Sequence, residues 1–339
     1  MKVVCFGELM LRLNPQGYLR LVQAENLEMS FAGGEANVAV SVSNYGGEAA
    51  LVTKLPDNNL AKAAIRRLRA CNVDVSHIVF GGDRMGTYYI EKGASQRAST
   101  VTYDRKYSSI SMAQKEEFDW DVILTGASWF HFTGITPALG DNVAEICIQA
   151  CEAAKEKGIT VSCDLNYRNK LWTSERAGEV MGRLMEYVDV VIANEEDCEK
   201  VFGIKSKDTD VTTGVLSKKG YEEVAKTLSE SFNVPTVAIT LRGSLSASDN
   251  DWAGLLYMNG NYYYSPSYRI HIVDRVGGGD SFGGALIYAI ASGYNPQKTI
   301  DFAVAASCLK HTVEYDFNQV SVEEVMHLMN GDGSGRVQR

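Results

Sequence analysis

From residue 121 to residue 310, apolar runs of strand length alternate with longer segments of helical periodicity. The runs 122–124, 129–132, 159–163, 188–193 and 234–241 are short, apolar and rich in β-branched residues, as buried strands are. The spacing predicts helices over 142–157, 176–186 and 221–232 between them. In the first, Val143, Ile146, Cys147, Ala150 and Ala154 share one face and Gly158 ends it. Such alternation predicts an α/β chain: a doubly wound, mostly parallel sheet with helices on both faces. Ligands of such sheets collect outside the carboxyl ends of the strands. The residues expected there are Gly134, Asp164, Asn194, Thr240 and Asp274.

The N-terminal third mixes this pattern with a second one. Val3–Gly7 and Ala49–Thr53 read as strands. Helices are expected from Glu35, with Val38, Val42 and Tyr45 on one face, and over Leu60–Ala70. Residues 10–31, around Asn14-Pro15-Gln16-Gly17, read as a hairpin, and 87–91 and 99–104 as two further β runs. These pieces, about 10–31 and 84–106, predict a small β lid on a single domain over 1–329. Alternate residues of an extended segment share a face, so Tyr103 goes with Arg105 and Thr87 with Tyr89. Asn259-Gly260 marks a hairpin turn. Residues 330–339, with Gly331-Asp-Gly-Ser-Gly-Arg, are expected to be a disordered tail.

A formal net charge of −9, with acids and bases interspersed, argues against nucleic acid or an anionic membrane surface as partner. The seven cysteines are an odd number without a CxxC, which suits a reducing cytoplasm. No signal peptide or membrane-length apolar run is found. GxxxxGK[ST], HExxH and a GxGxxG after the first strand are all absent.

The stretch Asp274-Arg-Val-Gly277-Gly278-Gly279-Asp280-Ser281-Phe282 carries the chemistry. Tyr268–Val273 supplies a strand before it, and Phe282, Leu286, Ala289 and Ile290 repeat at helical spacing after it. Three glycines let backbone N–H groups approach a ligand, at a helix N-terminus that favours an anion. A carboxylate is a poor neighbour for a bound phosphate. Asp280 therefore suggests a base that takes a proton from a hydroxyl attacking that phosphate. The bland alternative is a tight glycine turn capped by Asp280.

A second glycine motif, Gly33-Gly34-Glu35-Ala36-Asn37, opens the first expected helix. Together the two resemble both signatures of the ribokinase-like, PfkB-type carbohydrate kinases. Asp164-Leu-Asn166-Tyr-Arg168 resembles that family's Asp-x-Asn-x-Arg, and Asn194-Glu195-Glu-Asp197 its metal-associated Asn-x-x-Glu. Thr240-Leu-Arg242-Gly243-Ser244 resembles its nucleotide-side strand end. The resemblance spans residues 1–329 and implies a ribokinase-like fold with a β lid. The implied reaction is transfer of the ATP γ-phosphoryl group to a sugar hydroxyl. On this basis Asp280 is the general base, and the Gly277, Gly278 and Gly279 amides form the anion hole. Asn166, Asn194, Thr240, Arg242, Gly243, Ser244, Gly277 and Gly279 serve ATP. Asn194, Glu195 and Asp197 help position hydrated Mg²⁺, and a monovalent cation is a further candidate. The resemblance also makes a homodimer through the lid plausible.

The substrate set is expected to be Gly34, Asn37, Tyr89, Tyr103, Arg105, Arg168, Asp280 and Asp316. Two arginines facing one pocket suit a carboxylate, which a neutral hexose lacks. With Lys310-His311-Thr312 and Asp316-Phe317-Asn318, this set looks like that of the 2-keto-3-deoxygluconate kinases. The expected activity is thus phosphorylation of 2-dehydro-3-deoxygluconate on its 6-hydroxyl. The alternatives are a fructokinase or another sugar kinase of this type and, in a different class, a catalytically weak sugar-acid sensor. The chain departs from the family pattern at several points. Asp197 stands for a usual Glu, Gly278 for a usual Ala, Pro56 for a usual Gly, and Glu314-Tyr315 for Pro-Gly. Arg12 stands where fructokinase-like members tend to carry Asp.

Overall fold

The structure is a computed structural model and describes residues 1–206 and 218–331. Its elements run β1 (Lys2–Phe6), β2 (Met10–Asn14), β3 (Glu28–Ala32), α1 (Gly34–Asn44), β4 (Glu48–Leu55), α2 (Asn59–Ala70) and β5 (Ile78–Phe80). Then come β6 (Thr87–Glu91), β7 (Thr100–Asp104), α3 (Trp120–Ile123), β8 (Trp129–Thr133), α4 (Asp141–Glu156), β9 (Thr160–Asp164), α5 (Ser174–Met185) and β10 (Val190–Ala193). The C-terminal part holds α6 (Glu195–Phe202), α7 (Lys218–Phe232), β11 (Thr236–Ser244), β12 (Asp249–Met258), β13 (Asn261–Tyr264) and β14 (Tyr268–His271). It closes with α8 (Gly278–Ala291), α9 (Pro296–Lys310) and α10 (Val322–Met329).

β1 sits inside a ten-stranded sheet of order β13-β12-β11-β10-β9-β8-β1-β4-β5, with β14 also paired to β12. Every neighbouring pair from β5 to β11 is parallel. Alternation explains why β1 is apolar throughout. Val4 and Phe6 enter a core shared with α4, α5 and α7, while Val3 and Cys5 enter one shared with α1, α8 and α9. Each such side chain taken from water stabilises the fold by about 2 kcal/mol. β12 is antiparallel to β11, and β14 to β12, so β14 points the same way as β11. That brings Asp274 to the same edge of the sheet as Asp164 and Asn194.

A separate four-stranded sheet, β3-β2-β6-β7, forms the lid. Its β2 and β3 are antiparallel as expected, but they are joined by residues 15–27 rather than by a tight turn at Pro15. The expected strand at 122–124 is instead part of α3. Asp119 caps that helix through Val122 N (3.2 Å), and Trp120 and Ile123, three apart, both reach the core. Cys147, on the expected apolar face of α4, and Cys151 are both buried in the core. Of the expected disordered tail, residues 332–339 lie outside the described residues. Among the described residues, no helix is long and apolar enough to cross a membrane.

Candidate active site

The glycine turn is shaped by what crowds each glycine. Gly277 has φ +82°, and a Cβ there would lie 2.2 Å from the carbonyl oxygen of Asp316. A Cβ on Gly278 would strike the His311 ring at 2.4 Å. Gly279 faces open space, with nothing within 4 Å of its would-be Cβ. The turn is held from beneath. Val276 N donates to Asp274 Oδ1 (3.2 Å), and Ser307 Oγ donates to the carbonyl of Gly278 (2.7 Å). The fully buried Lys310 ammonium donates to the carbonyls of Asp274 (3.2 Å) and Val276. Gly277 and Gly279 line the cleft at the start of α8, where a helix N-terminus favours an anion, whereas Gly278 N donates within the turn to the carbonyl of Arg275 (3.2 Å).

That cleft has a volume of about 750 Å³. The structure brings Asn166, Arg168, Asn194, Asp197 and Asp280 into its lining from the ends of β9 and β10 and the first turns of α6 and α8. Thr240, Arg242, Gly277 and Gly279 line the nucleotide-side part named from the sequence, and Tyr103 reaches in from the lid. Asn166 has φ +37°, a left-handed conformation that Asn adopts more readily than most residues, and it turns the chain after Asp164 toward Arg168. Gly34 and Asn37 meet Asp280 directly: a Cβ on Gly34 would lie 3.7 Å from Oδ1, and Asn37 Nδ2 donates to Oδ2 at 2.6 Å.

Electrostatics marks the same residues. Burial pushes the Asp280 carboxyl up to about 6, against the pull of the Asn37 hydrogen bond; the charge of Asp316 adds to the rise. Burial likewise pushes Asp197 up to about 6, opposed first by Arg168. Asp164 is raised well above the usual carboxylate range by burial and then by Asp197 and Asp280. A carboxylate poised near neutrality beside an anion-binding turn can accept a proton from a bound hydroxyl.

Other expected site residues lie elsewhere. Arg105 does not line the cleft. Its Nε donates to Glu8 Oε2 (2.8 Å), its Nη2 also bonds that oxygen, and its guanidinium lies over the Tyr103 ring. Tyr89 is half-buried on β6 and outside the lining. Asp316 is buried, with Oδ1 taken by Arg12 (2.6 Å) and Oδ2 by the Tyr88 hydroxyl (2.7 Å). Gly243 and Ser244 belong to the β11–β12 ladder rather than the lining. The Glu195 side chain lies outside the described residues.

Arg12 was singled out only as a departure, yet it is fully buried and also bonds Asp274 at 2.6 Å. It ties lid strand β2 to both ends of the turn's support. Its two carboxylate partners lie hundreds of residues away, so only its charge, alternating with apolar neighbours on β2, could have drawn attention to it.

The donors present suit Mg²⁺ carried in with a nucleotide. Asn194 Oδ1 caps α6 through Asp197 N (2.8 Å), and Asp197 Oδ1 accepts from Tyr167 N (3.0 Å). Among the described residues, no group of three side chains is arranged to hold a metal ion. Mg²⁺ keeps several waters and needs few protein ligands, so contact through water fits this set.

Residues 1–318 match the model of the pfkB family carbohydrate kinases. The chain belongs to that family. It is a carbohydrate kinase with a ribokinase-like fold, and kinases of this family use ATP with Mg²⁺. This kinase is 51% identical to a solved structure described as 2-dehydro-3-deoxygluconokinase from Thermotoga maritima, covering 98% of this chain and 100% of that one with a TM-score of 0.94. It is 34% identical to the 2-dehydro-3-deoxygalactonokinase of Haloferax volcanii over 98% of both chains. It is also 27% identical to the 2-dehydro-3-deoxygluconokinase of Thermoproteus tenax, over 91% of this chain and 87% of that one.

Proposed function

We propose that this kinase phosphorylates 2-dehydro-3-deoxygluconate on its 6-hydroxyl. The observation that carries the reading is the cleft's charge arrangement: Asp280 beside the glycine turn, with Arg168 in the same lining. In the proposed mechanism Asp280 takes the hydroxyl proton as the oxygen attacks the γ-phosphorus. The Gly277 and Gly279 amides, which line the cleft, would hold charge that develops on the transferring group; the Gly278 amide would join them only by leaving the Arg275 carbonyl. Asn194 and Asp197 would orient waters around Mg²⁺, which when bound supplies charge to neutralise the phosphates. Among the cations that line the cleft, Arg168 is the one that would receive the sugar carboxylate; Arg105 would act behind it through Tyr103. The relatives named for 2-keto-3-deoxy sugar acids support an acid over a hexose. A second reading, the galactonate epimer as substrate, is favoured by the Haloferax relative.

The lid is also proposed as a dimer surface. Tyr18, Leu19, Val22, Leu27 and Met29 are exposed on or beside its β2–β3 connection. For the activity, ADP release should be measured across both epimeric acids, gluconate and fructose. Turnover of at least one keto-deoxy acid should exceed that of fructose by about tenfold or more, the cost of an unpaired arginine in the site. Equal or better turnover with fructose would refute the sugar-acid reading.

A further inference from the structure

Arg275, inside the glycine turn, has no role in the mechanism above. It lines the same cleft as Arg242 of β11. Its Nη2 donates to the carbonyl of Ala247 (3.1 Å), which orients the guanidinium plane. Its Nε is buried without a partner. The adjacent carboxylate, Asp274, is taken by Arg12 at 2.6 Å. Among the described residues, neither Arg242 nor Arg275 has a carboxylate within ion-pair distance. Burial, and then the like charge of Arg242, disfavour the charged form of Arg275. Two neighbouring guanidinium groups with free N–H donors, facing a cleft next to an anion-binding turn, lack a multiply charged anion between them.

We propose that Arg242 and Arg275 clamp the β-phosphate of the nucleotide, the group that leaves. This rests on the proposed placement of ATP in the cleft. In the transfer the sugar O–H bond breaks and its proton goes to Asp280, while the oxygen forms a bond to the γ-phosphorus. The bond from that phosphorus to the bridging oxygen breaks, and its electron pair leaves on ADP. Negative charge grows on the β-phosphate, so the clamp holds the transition state more tightly than ATP.

The test is calorimetric titration of the full-length wild type, Arg275→Gln and Arg242→Gln with ADP and with AMP, which lacks the β-phosphate. ADP affinity should fall about tenfold in each variant while AMP affinity stays the same. Arg275→Lys should recover only part of the loss, because Lys lacks the planar fork. Equal losses for ADP and AMP, or no loss for either, would overturn the clamp. A wild type that binds neither nucleotide would instead overturn the placement of ATP. Arg242 is exposed on β11, so its variant keeps the test open should Arg275→Gln fold poorly.

Discussion

Asn37 Nδ2 donates to Asp280 Oδ2 at 2.6 Å, joining the first turn of α1 to the first turn of α8 across 243 residues of sequence. The two glycine motifs thus form one site, with Asn37 setting both the direction and the proton affinity of the carboxylate. Hydrogen bonding to a charged carboxylate favours the charged form, and burial opposes it. Asp280 stands at about 6 as the balance of these effects.

Removing the donor should move that balance. In Asn37→Ala the Asp280 carboxyl should titrate higher, and the acid limb of the pH dependence of kcat/KM should move up by about one unit. Asn37→Asp should move it further by adding a like charge. An acid limb that stays in place in both variants would remove Asp280 as the titrating base.

The glycines of the turn should separate folding from chemistry. Gly277→Ala meets a positive φ and a backbone carbonyl 2.2 Å away, and should cost about 3 kcal/mol or more of stability. Gly279→Ala meets nothing within 4 Å, so its stability should stay within about 0.5 kcal/mol of wild type. Its methyl would nevertheless stand where the anion approaches, and turnover should fall steeply. Chemical denaturation and steady-state kinetics on the pair check this; a fully active Gly279→Ala would move the anion hole elsewhere.

Stability and activity should respond oppositely to pH between about 4 and 6. Asp280 and Asp197 have folded-state values near 6, raised above the usual aspartate range. In that window the native chain binds more protons than the unfolded one, so these groups make stability fall as pH rises. In the proposed mechanism activity needs Asp280 ionised, and so should rise over the same window. Asp280→Asn should weaken this fall in stability and nearly abolish turnover. Thermal melts and rates across pH 4–7 would show it, and a parallel rise of both in wild type would contradict it.

Much of the fold was legible because local rules and tertiary packing agree along it. Buried parallel strands are apolar on both faces, as β1 and β8 are, and α4 carries its apolar stripe at helical spacing. The short run 122–124 misled because three apolar residues do not distinguish a strand from one helical turn. The glycine turn was legible since Gly277, at positive φ against the Asp316 carbonyl, answers to a steric demand that glycine meets best. Arg105 and Asp316 were harder, because a charged residue on an extended segment can face a ligand or a buried counter-ion. Glu8 and Arg12, far off in sequence, decided between these.

Arg105 and Glu8 give the sharpest remaining test of the proposed recognition of a sugar acid. Both are buried, and Glu8 Oε1 already lacks a partner. Breaking a buried pair from one side leaves an uncompensated charge, so Arg105→Met should cost about 3 kcal/mol. Glu8→Gln should cost less, since the amide oxygen still accepts from Nε. The double variant Glu8→Leu/Arg105→Met should be more stable than Arg105→Met alone, as expected for coupled residues in a double-mutant cycle. Kinetics then separate the two arginines. Arg168→Ala should raise KM for acid sugars far more than for fructose, because it removes the cation proposed to pair with the sugar carboxylate. Changes at Arg105 should act on both sugars alike once stability is matched. If Arg105→Met instead selectively loses the acid, Glu8 must release Arg105 when substrate binds, and the pair would be an exchangeable stand-in for the sugar carboxylate.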